Sequence, residues 1–167
     1  WNTATELNSL SFDIEKTNSG NAAWQKIASV KASGNSSSPK SYSYVDIVTA
    51  AGNFSYRLKM TDIDGSFKYS TIVNADVSAP VKYELAQNFP NPWNPTTTIR
   101  YKMPVNGLVS IKVFDALGKE ITTLVNEIKP AGNYEVTLNG KNLSSGIYYY
   151  QMRAGNFIET KKITLIK

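Results

Sequence analysis

Of the side chains that commonly carry chemistry, two kinds are missing: the 167-residue chain has no Cys and no His. With them go the thiol nucleophile, the disulfide framework, thiolate and imidazole metal sites, and the commonest general base. Oxygen ligands remain, and Asp62-Ile63-Asp64-Gly65 imitates the start of a calcium loop. The twelfth position of such a loop would be residue 73, which is Val and not the bidentate Glu that closes the site. A hairpin turn is the better reading of that tetrapeptide. Ser and Lys are plentiful, but no G-x-S-x-G elbow presents a nucleophile and no glycine-rich loop cradles a phosphate. Asn35-Ser36-Ser37, Asn53-Phe54-Ser55 and Asn142-Leu143-Ser144 fit the glycan sequon and read as incidental. The expectation is a chain with no catalytic residues, no metal and no cofactor.

Composition supports a packed core. Hydrophobic residues make up 41% and aromatics 11%, enough for a core. Charged residues are only 19%, so surface contacts fall to Asn, Ser, Thr and Tyr. No apolar run approaches the roughly 18 residues that span a bilayer, and no membrane span or leader is expected. Residues 1–78 hold seven basic and seven acidic side chains, whereas residues 79–167 hold eleven and six and carry the entire net charge of +5. The asymmetry suggests two modules, the second suited to anionic surroundings. Its basic residues are dispersed over many strands and not gathered in a stripe, which argues against nucleic acid.

Those surfaces must be positioned by strands. Phe54, Tyr56, Leu58 and Met60 alternate with Ser55, Arg57, Lys59 and Thr61; Val109, Ile111, Val113 and Tyr134, Val136, Leu138 repeat the period of two. Turn residues separate such runs at Asn18-Ser19-Gly20-Asn21, Asp64-Gly65, Asn106-Gly107, Leu117-Gly118-Lys119, Ala131-Gly132-Asn133 and Ser145-Gly146. The fold class is all-β: two tandem antiparallel β-sandwiches. Residues 79–167 give seven strands, at about 83–87, 97–103, 108–115, 119–126, 133–139, 147–154 and 157–166, a complete sandwich. Residues 1–78 give five, at about 11–17, 25–32, 42–47, 54–61 and 67–77, two short of one. Leaving about five of its inner apolar side chains uncovered would forfeit roughly 1.5–3 kcal/mol each. Either the chain was cut from a longer one, or another chain supplies strands by β-augmentation. The domain expectation is 1–78, a linker at 79–82 around Ala79-Pro80, and 83–167.

In Asn91-Pro92-Trp93-Asn94-Pro95 the prolines fix φ and remove donors, so the segment reads as a rigid non-strand connection, with Phe89 and Trp93 closing one end of the sandwich. The run Tyr83-Glu84-Leu85-Ala86-Gln87-Asn88-Phe89-Pro90-Asn91-Pro92-Trp93-Asn94-Pro95-Thr96-Thr97-Thr98-Ile99-Arg100-Tyr101, with Val113-Phe114-Asp115-Ala116-Leu117-Gly118-Lys119-Glu120-Ile121, Pro130-Ala131-Gly132-Asn133-Tyr134, Leu143-Ser144-Ser145-Gly146-Ile147-Tyr148-Tyr149-Tyr150 and the basic–apolar ending Lys161-Lys162-Ile163-Thr164-Leu165-Ile166-Lys167, resembles the type A C-terminal sorting domain of type IX secretion substrates over about residues 83–167. That family is related to the immunoglobulin-like domain of the flagellar hook-capping protein. Through Phe12-Asp13-Ile14-Glu15-Lys16 and Tyr56-Arg57-Leu58-Lys59-Met60-Thr61-Asp62-Ile63-Asp64-Gly65, residues 1–78 resemble a fibronectin type III-like domain lacking its first strands, which implies residues 1–6 as the end of its second strand.

The resemblance implies the sorting-motif residues Asn88, Pro90, Asn91, Pro92, Trp93, Asn94, Pro95, Gly118, Gly132, Gly146, Lys161, Lys162 and Lys167. The three glycines read independently as turn residues, and the lysines as protection for an edge strand. The resemblance further implies a secreted bacterial protein, outside the cell or on its outer surface, whose tail engages the type IX export machinery and whose passenger is joined to an anionic lipopolysaccharide. The alternative is a structural assembly module of an extracellular filament, sheath or adhesin, self-associating by donation of strands to the incomplete first sandwich. A carbohydrate-binding module using exposed Tyr and Trp is a third reading.

Overall fold

The computed structural model describes residues 1–18 and 23–167. Most of the turn expected at 18–21 lies outside the described residues. The described chain is strand and turn throughout, and divides into two units, Trp1–Val48 with Gly52–Val77, and Thr49–Ala51 with Ser78–Lys167.

The first unit contains β1 (Asn2–Thr3), β2 (Glu6–Asn18), β3 (Gln25–Ser36), β4 (Lys40–Ser41), β5 (Gly52–Asp62), β6 (Phe67–Tyr69) and β7 (Val73–Val77). β3, β2 and β5 form an antiparallel sheet, with β6 and β7 both laid along the free side of β5. Direct register puts Val30, Phe12 and Met60 in one row and Ala28, Ile14 and Leu58 in the next, so one face of the sheet is apolar. Among the described residues the layer over that face is the short pair β1·β4 with its flanking residues Trp1 and Tyr42, which stack at 5.6 Å and both pack against Phe12.

Two sequence expectations are corrected here. Residues 42–47 are expected as a strand, yet none forms. The β1·β4 pairing ends at Tyr42, whose N–H and carbonyl exchange hydrogen bonds with Trp1, and beyond it Tyr44, Val45 and Ile47 are exposed. Strand-favouring residues supply a face but not a neighbour with which to pair. The single strand expected at 67–77 is two. The Ser70 hydroxyl takes the Leu58 N–H in place of a carbonyl and interrupts the ladder between β6 and β7. The Asp62-Ile63-Asp64-Gly65 segment makes the β5–β6 turn, closed by Gly65 N–H to Asp62 O at 3.0 Å.

The second unit contains β8 (Glu84–Leu85), β9 (Thr96–Met103), β10 (Gly107–Phe114), β11 (Glu120–Lys129), β12 (Gly132–Asn139), β13 (Gly146–Ala154) and β14 (Phe157–Leu165). Two antiparallel sheets, β11-β10-β13-β14 and β12-β9-β8, enclose one core. Seven strands stand where seven were expected. The period of two explains the layers. Val109, Ile111 and Val113 of β10, Tyr148, Tyr150 and Met152 of β13, and Ile99, Tyr101 and Met103 of β9 all turn inward and are buried. The Tyr150 hydroxyl is satisfied by donating to Ala86 O at 2.6 Å. Burial separates the units: sixteen described apolar residues are buried in this core, against Phe12, Ile14, Ala32 and Phe54 in the first unit.

That difference predicts unequal responses to truncation. Ile111→Ala opens a cavity in a fully enclosed core and should cost about 2–5 kcal/mol. Leu58→Ala, whose side chain already borders open space, should cost less. Urea unfolding of the full chain, followed through NMR signals from each unit, compares the two.

Candidate functional site

The connection at 88–95 is held from three sides. Its first anchor is Asn88, only 2% exposed. The Asn88 amide donates to Pro90 O and to Thr97 Oγ1, both at 3.0 Å, and accepts from Gln87 Nε2 at 2.7 Å. Thr97, equally buried, donates its hydroxyl to the same Pro90 carbonyl at 2.8 Å. A buried amide and hydroxyl so fully paired fix the turn, because leaving either unpaired costs about 1–3 kcal/mol. The second anchor is the backbone of Phe89, which exchanges both hydrogen bonds with Thr98 of β9. The peptide bonds before Pro90 and Pro92 are cis.

The third anchor is the end of β14. Asn91 Oδ1 accepts the Thr164 N–H at 3.0 Å. The Trp93 N–H donates to Thr164 O at 2.9 Å, and the Ile166 N–H donates to Trp93 O at 3.0 Å. Gln87 Nε2 also reaches Lys162 O at 2.9 Å. The Trp93 side chain is 1% exposed, lies edge-on to Tyr148, and donates its indole N–H to Pro95 O at 3.0 Å. Pro95 O also accepts the Gly140 N–H. Trp93 therefore caps the sandwich as expected. Phe89 does not: it is 80% exposed, a correction to the expected pair of capping aromatics. Its backbone pairing with β9 turns its side chain away from the core while its neighbour Asn88 is drawn in.

The structure gathers some of the motif residues and scatters others. Asn88, Pro90, Asn91, Pro92, Trp93, Asn94 and Pro95 form one loop, with Asn94 exposed on it. Gly146 opens β13 directly opposite Leu165, the residue bridged by Trp93, and so lies beside this loop. Gly132 pairs with Met103 at the far end of β9 and does not. Gly118, at φ 81°, serves the β10–β11 turn, where Asp115 Oδ1 accepts the N–H groups of Leu117 and Lys119. Lys161 is paired with Glu159 at 2.6 Å, and Lys167 reaches the Lys141 carbonyl. Lys162 is exposed on β14 opposite Tyr149. β14 is an edge strand of its sheet.

The sequence reading missed Gly140, which belongs to the site. A Cβ there would lie 3.0 Å from both Trp93 Nε1 and Leu165 Cδ2, so the absence of a side chain is what lets the indole seat. The Asn139-Gly140 dipeptide was the available signal.

Residues 87–167 match the family whose model is described as the secretion system C-terminal sorting domain. Residues 87–167 belong to that family. The sorting domain marks proteins exported by type IX secretion to the cell surface or extracellular space. A comparison with curated proteins finds no match. Among solved structures, the chain is similar to the FN1–FN3 domains of chicken CNTN1, at 13% identity and a TM-score of 0.37, covering 96% of this chain and 57% of that one. It is also similar to a tetra-tandem repeat in the extending region of a large adhesion protein, at 17% identity and a TM-score of 0.35, covering 98% of this chain and 43% of that one. The chain thus spans about half the length of these structures, and the fold is established by the strand pairing above. Among the described residues, no cluster of three or more acidic groups is placed to hold a metal ion, and no helix is long and apolar enough to cross a membrane.

The first unit carries a second feature, a cavity of about 620 Å³ over its apolar face, lined by residues including Trp1, Ile14, Tyr42, Tyr56, Leu58 and Val73. Polar groups edge it. Lys16 Nζ and the Tyr56 hydroxyl both contact Asp46 Oδ2, at 2.7 and 2.8 Å. Burial and the Asp46 carboxylate push the Tyr56 phenol up to about 12. Nearby, Glu6 is 6% exposed and accepts from Tyr42 Oη, Thr3 Oγ1 and the Ser33 N–H. Burial alone would push the Glu6 and Asp46 carboxyls up. Those hydrogen bonds, with Lys16 for Asp46, hold both below their ordinary values of 4.5 and 3.8.

A carboxyl whose folded pKa is depressed stabilises above its unfolded pKa, and that contribution vanishes as pH falls through the folded one. The first unit should therefore hold its unfolding midpoint from neutrality down to about pH 4.5 and lose it progressively below. Glu6→Gln should flatten that acid limb. Urea titrations at stepped pH, read on first-unit signals, check it.

Proposed function

We propose that residues 79–167 are a non-catalytic address, recognised as a folded surface by the type IX export machinery, with 79–82 the linker to the preceding domain and 83–167 the folded address. The observation that carries this reading is the junction of the two motif regions: residues 88–95 and the end of β14 are hydrogen-bonded into one patch by Asn91, Trp93 and Gln87. A linear peptide signal would need no such junction. Residues 78–82 lie outside any strand and Val81 is 99% exposed, which suits proteolytic removal of the domain after export. Joining of the passenger to an anionic lipopolysaccharide completes the reading, and the +5 charge carried by residues 79–167 favours an anionic envelope.

A second reading draws on the first unit. Its apolar sheet face, bordering a cavity of about 620 Å³, and the exposed backbone of residues 43–47 suit completion by a strand from a neighbouring chain, as in an extracellular filament or adhesin.

The two readings separate in the secreting bacterium. On the address reading, deleting residues 79–167 stops export. Mass spectrometry of the surface form should then find no peptide 163–167 and a lipopolysaccharide-sized mass increase. Undiminished export of the deletion contradicts that reading. A surface form retaining both units, in assemblies dispersed only by denaturant, favours the second.

A further inference from the structure

Phe89 and Trp93 lie four residues apart in one proline-rich loop and meet opposite fates, 80% and 1% exposed. Single exposed apolar side chains are ordinary on protein surfaces. Phe89 differs in how firmly its base is set. Both of its backbone hydrogen bonds go to Thr98, the preceding residue is buried with its amide fully paired, and the following carbonyl, that of Pro90, accepts two hydrogen bonds. The ring is thus held outward on a backbone fixed by hydrogen bonds on both sides. Binding through it forfeits the ring's rotamers but little backbone entropy, which is how a preorganised aromatic becomes an anchor. Pro90 and Pro92 are exposed beside it, and Ile166, tied to Trp93 through its N–H, is 52% exposed. The basic strand end is contiguous, since Gln87, two residues before Phe89, holds the carbonyl of exposed Lys162.

We propose that Phe89 is the aromatic anchor of the sorting domain, inserting into an apolar, acid-rimmed pocket of the outer-membrane export machinery. This rests on the address reading above. The loop and β14 act together: the loop, paired through Phe89 with β9, supplies the ring, and β14 supplies the neighbouring cation. Trp93, being buried, contributes shape and not contact.

The test uses the full-length protein in its secreting host, with four variants: Phe89→Ser, Phe89→Tyr, Ile128→Ser and the deletion of 79–167. Ile128 is 76% exposed on β11, outside the motif segments, and controls for loss of any exposed apolar group. Phe89→Ser should cut the exported fraction at least tenfold, with retention behind the outer membrane and an unchanged thermal midpoint. Phe89→Tyr, which keeps the ring, and Ile128→Ser should export like the parent. Normal export of Phe89→Ser beside a blocked deletion overturns the anchor and leaves the address reading standing. Normal export of both overturns the two together. Failure of Phe89→Tyr to export, or a lowered midpoint in Phe89→Ser, also overturns the anchor, since the ring would then be neither the determinant nor a solvent-facing group.

Discussion

The indole of Trp93 sits where the two sheets of the sorting domain would otherwise gape. Its N–H is spent on Pro95 O, its ring on Tyr148, and its backbone on both sides of Leu165. One residue thereby ties the entry to β9 to the end of the last strand. The constraint runs both ways. The loop cannot shift without unpairing Thr164 and Ile166, and β14 cannot fray without exposing a buried tryptophan. Burying that ring is worth several times the roughly 1 kcal/mol of any one of the hydrogen bonds around it. The bonds set geometry, and the burial holds it.

The two units solve the sheet problem differently. The sorting domain encloses its apolar rows between two layers, with Tyr150 and Trp93 finding acceptors for their polar ends. The first unit presents similar rows, Phe12 with Met60 and Ile14 with Leu58, but what packs over Phe12 is Trp1 and Tyr42, which flank the short β1·β4 pair. Its remaining order leans on polar contacts: Glu6 bound by three donors, Asp46 by Lys16 and Tyr56, and Arg57 by Glu15 beneath the rings of Trp24 and Tyr69. Such contacts depend on ionisation state, whereas enclosed apolar area does not.

The strands of the sorting domain were legible from turn residues that bound short runs and from alternation in runs such as Val109–Val113 and Tyr134–Leu138, which an enclosed core makes decisive. The non-strand character of residues 88–95 was equally plain from its prolines. What the sequence concealed was direction and partnership. Phe89 and Trp93 look alike beside proline, and only the pairing of Phe89 with Thr98 turns one outward. Residues 42–47 are rich in the Tyr, Val and Ile that strands favour, but pairing needs a neighbour that a one-dimensional pattern cannot display. Ser70 breaks a ladder through a hydroxyl that reads as an ordinary strand residue. Gly140 looks like any turn glycine until an indole is found 3.0 Å from where its Cβ would be. Gly132, grouped with the motif by resemblance, lies at the other end of β9.

The central claim is that the loop at 88–95 and the end of β14 form one folded surface. Amide hydrogen exchange at Thr164 and Ile166 reads it directly, because their N–H groups are bound by Asn91 Oδ1 and Trp93 O. Protection comparable to that of Ile111 or Tyr150 in the core is the expected result. Exchange at the rate of a free chain end would mean that the last strand comes loose from the loop, and that no joined surface exists to be recognised.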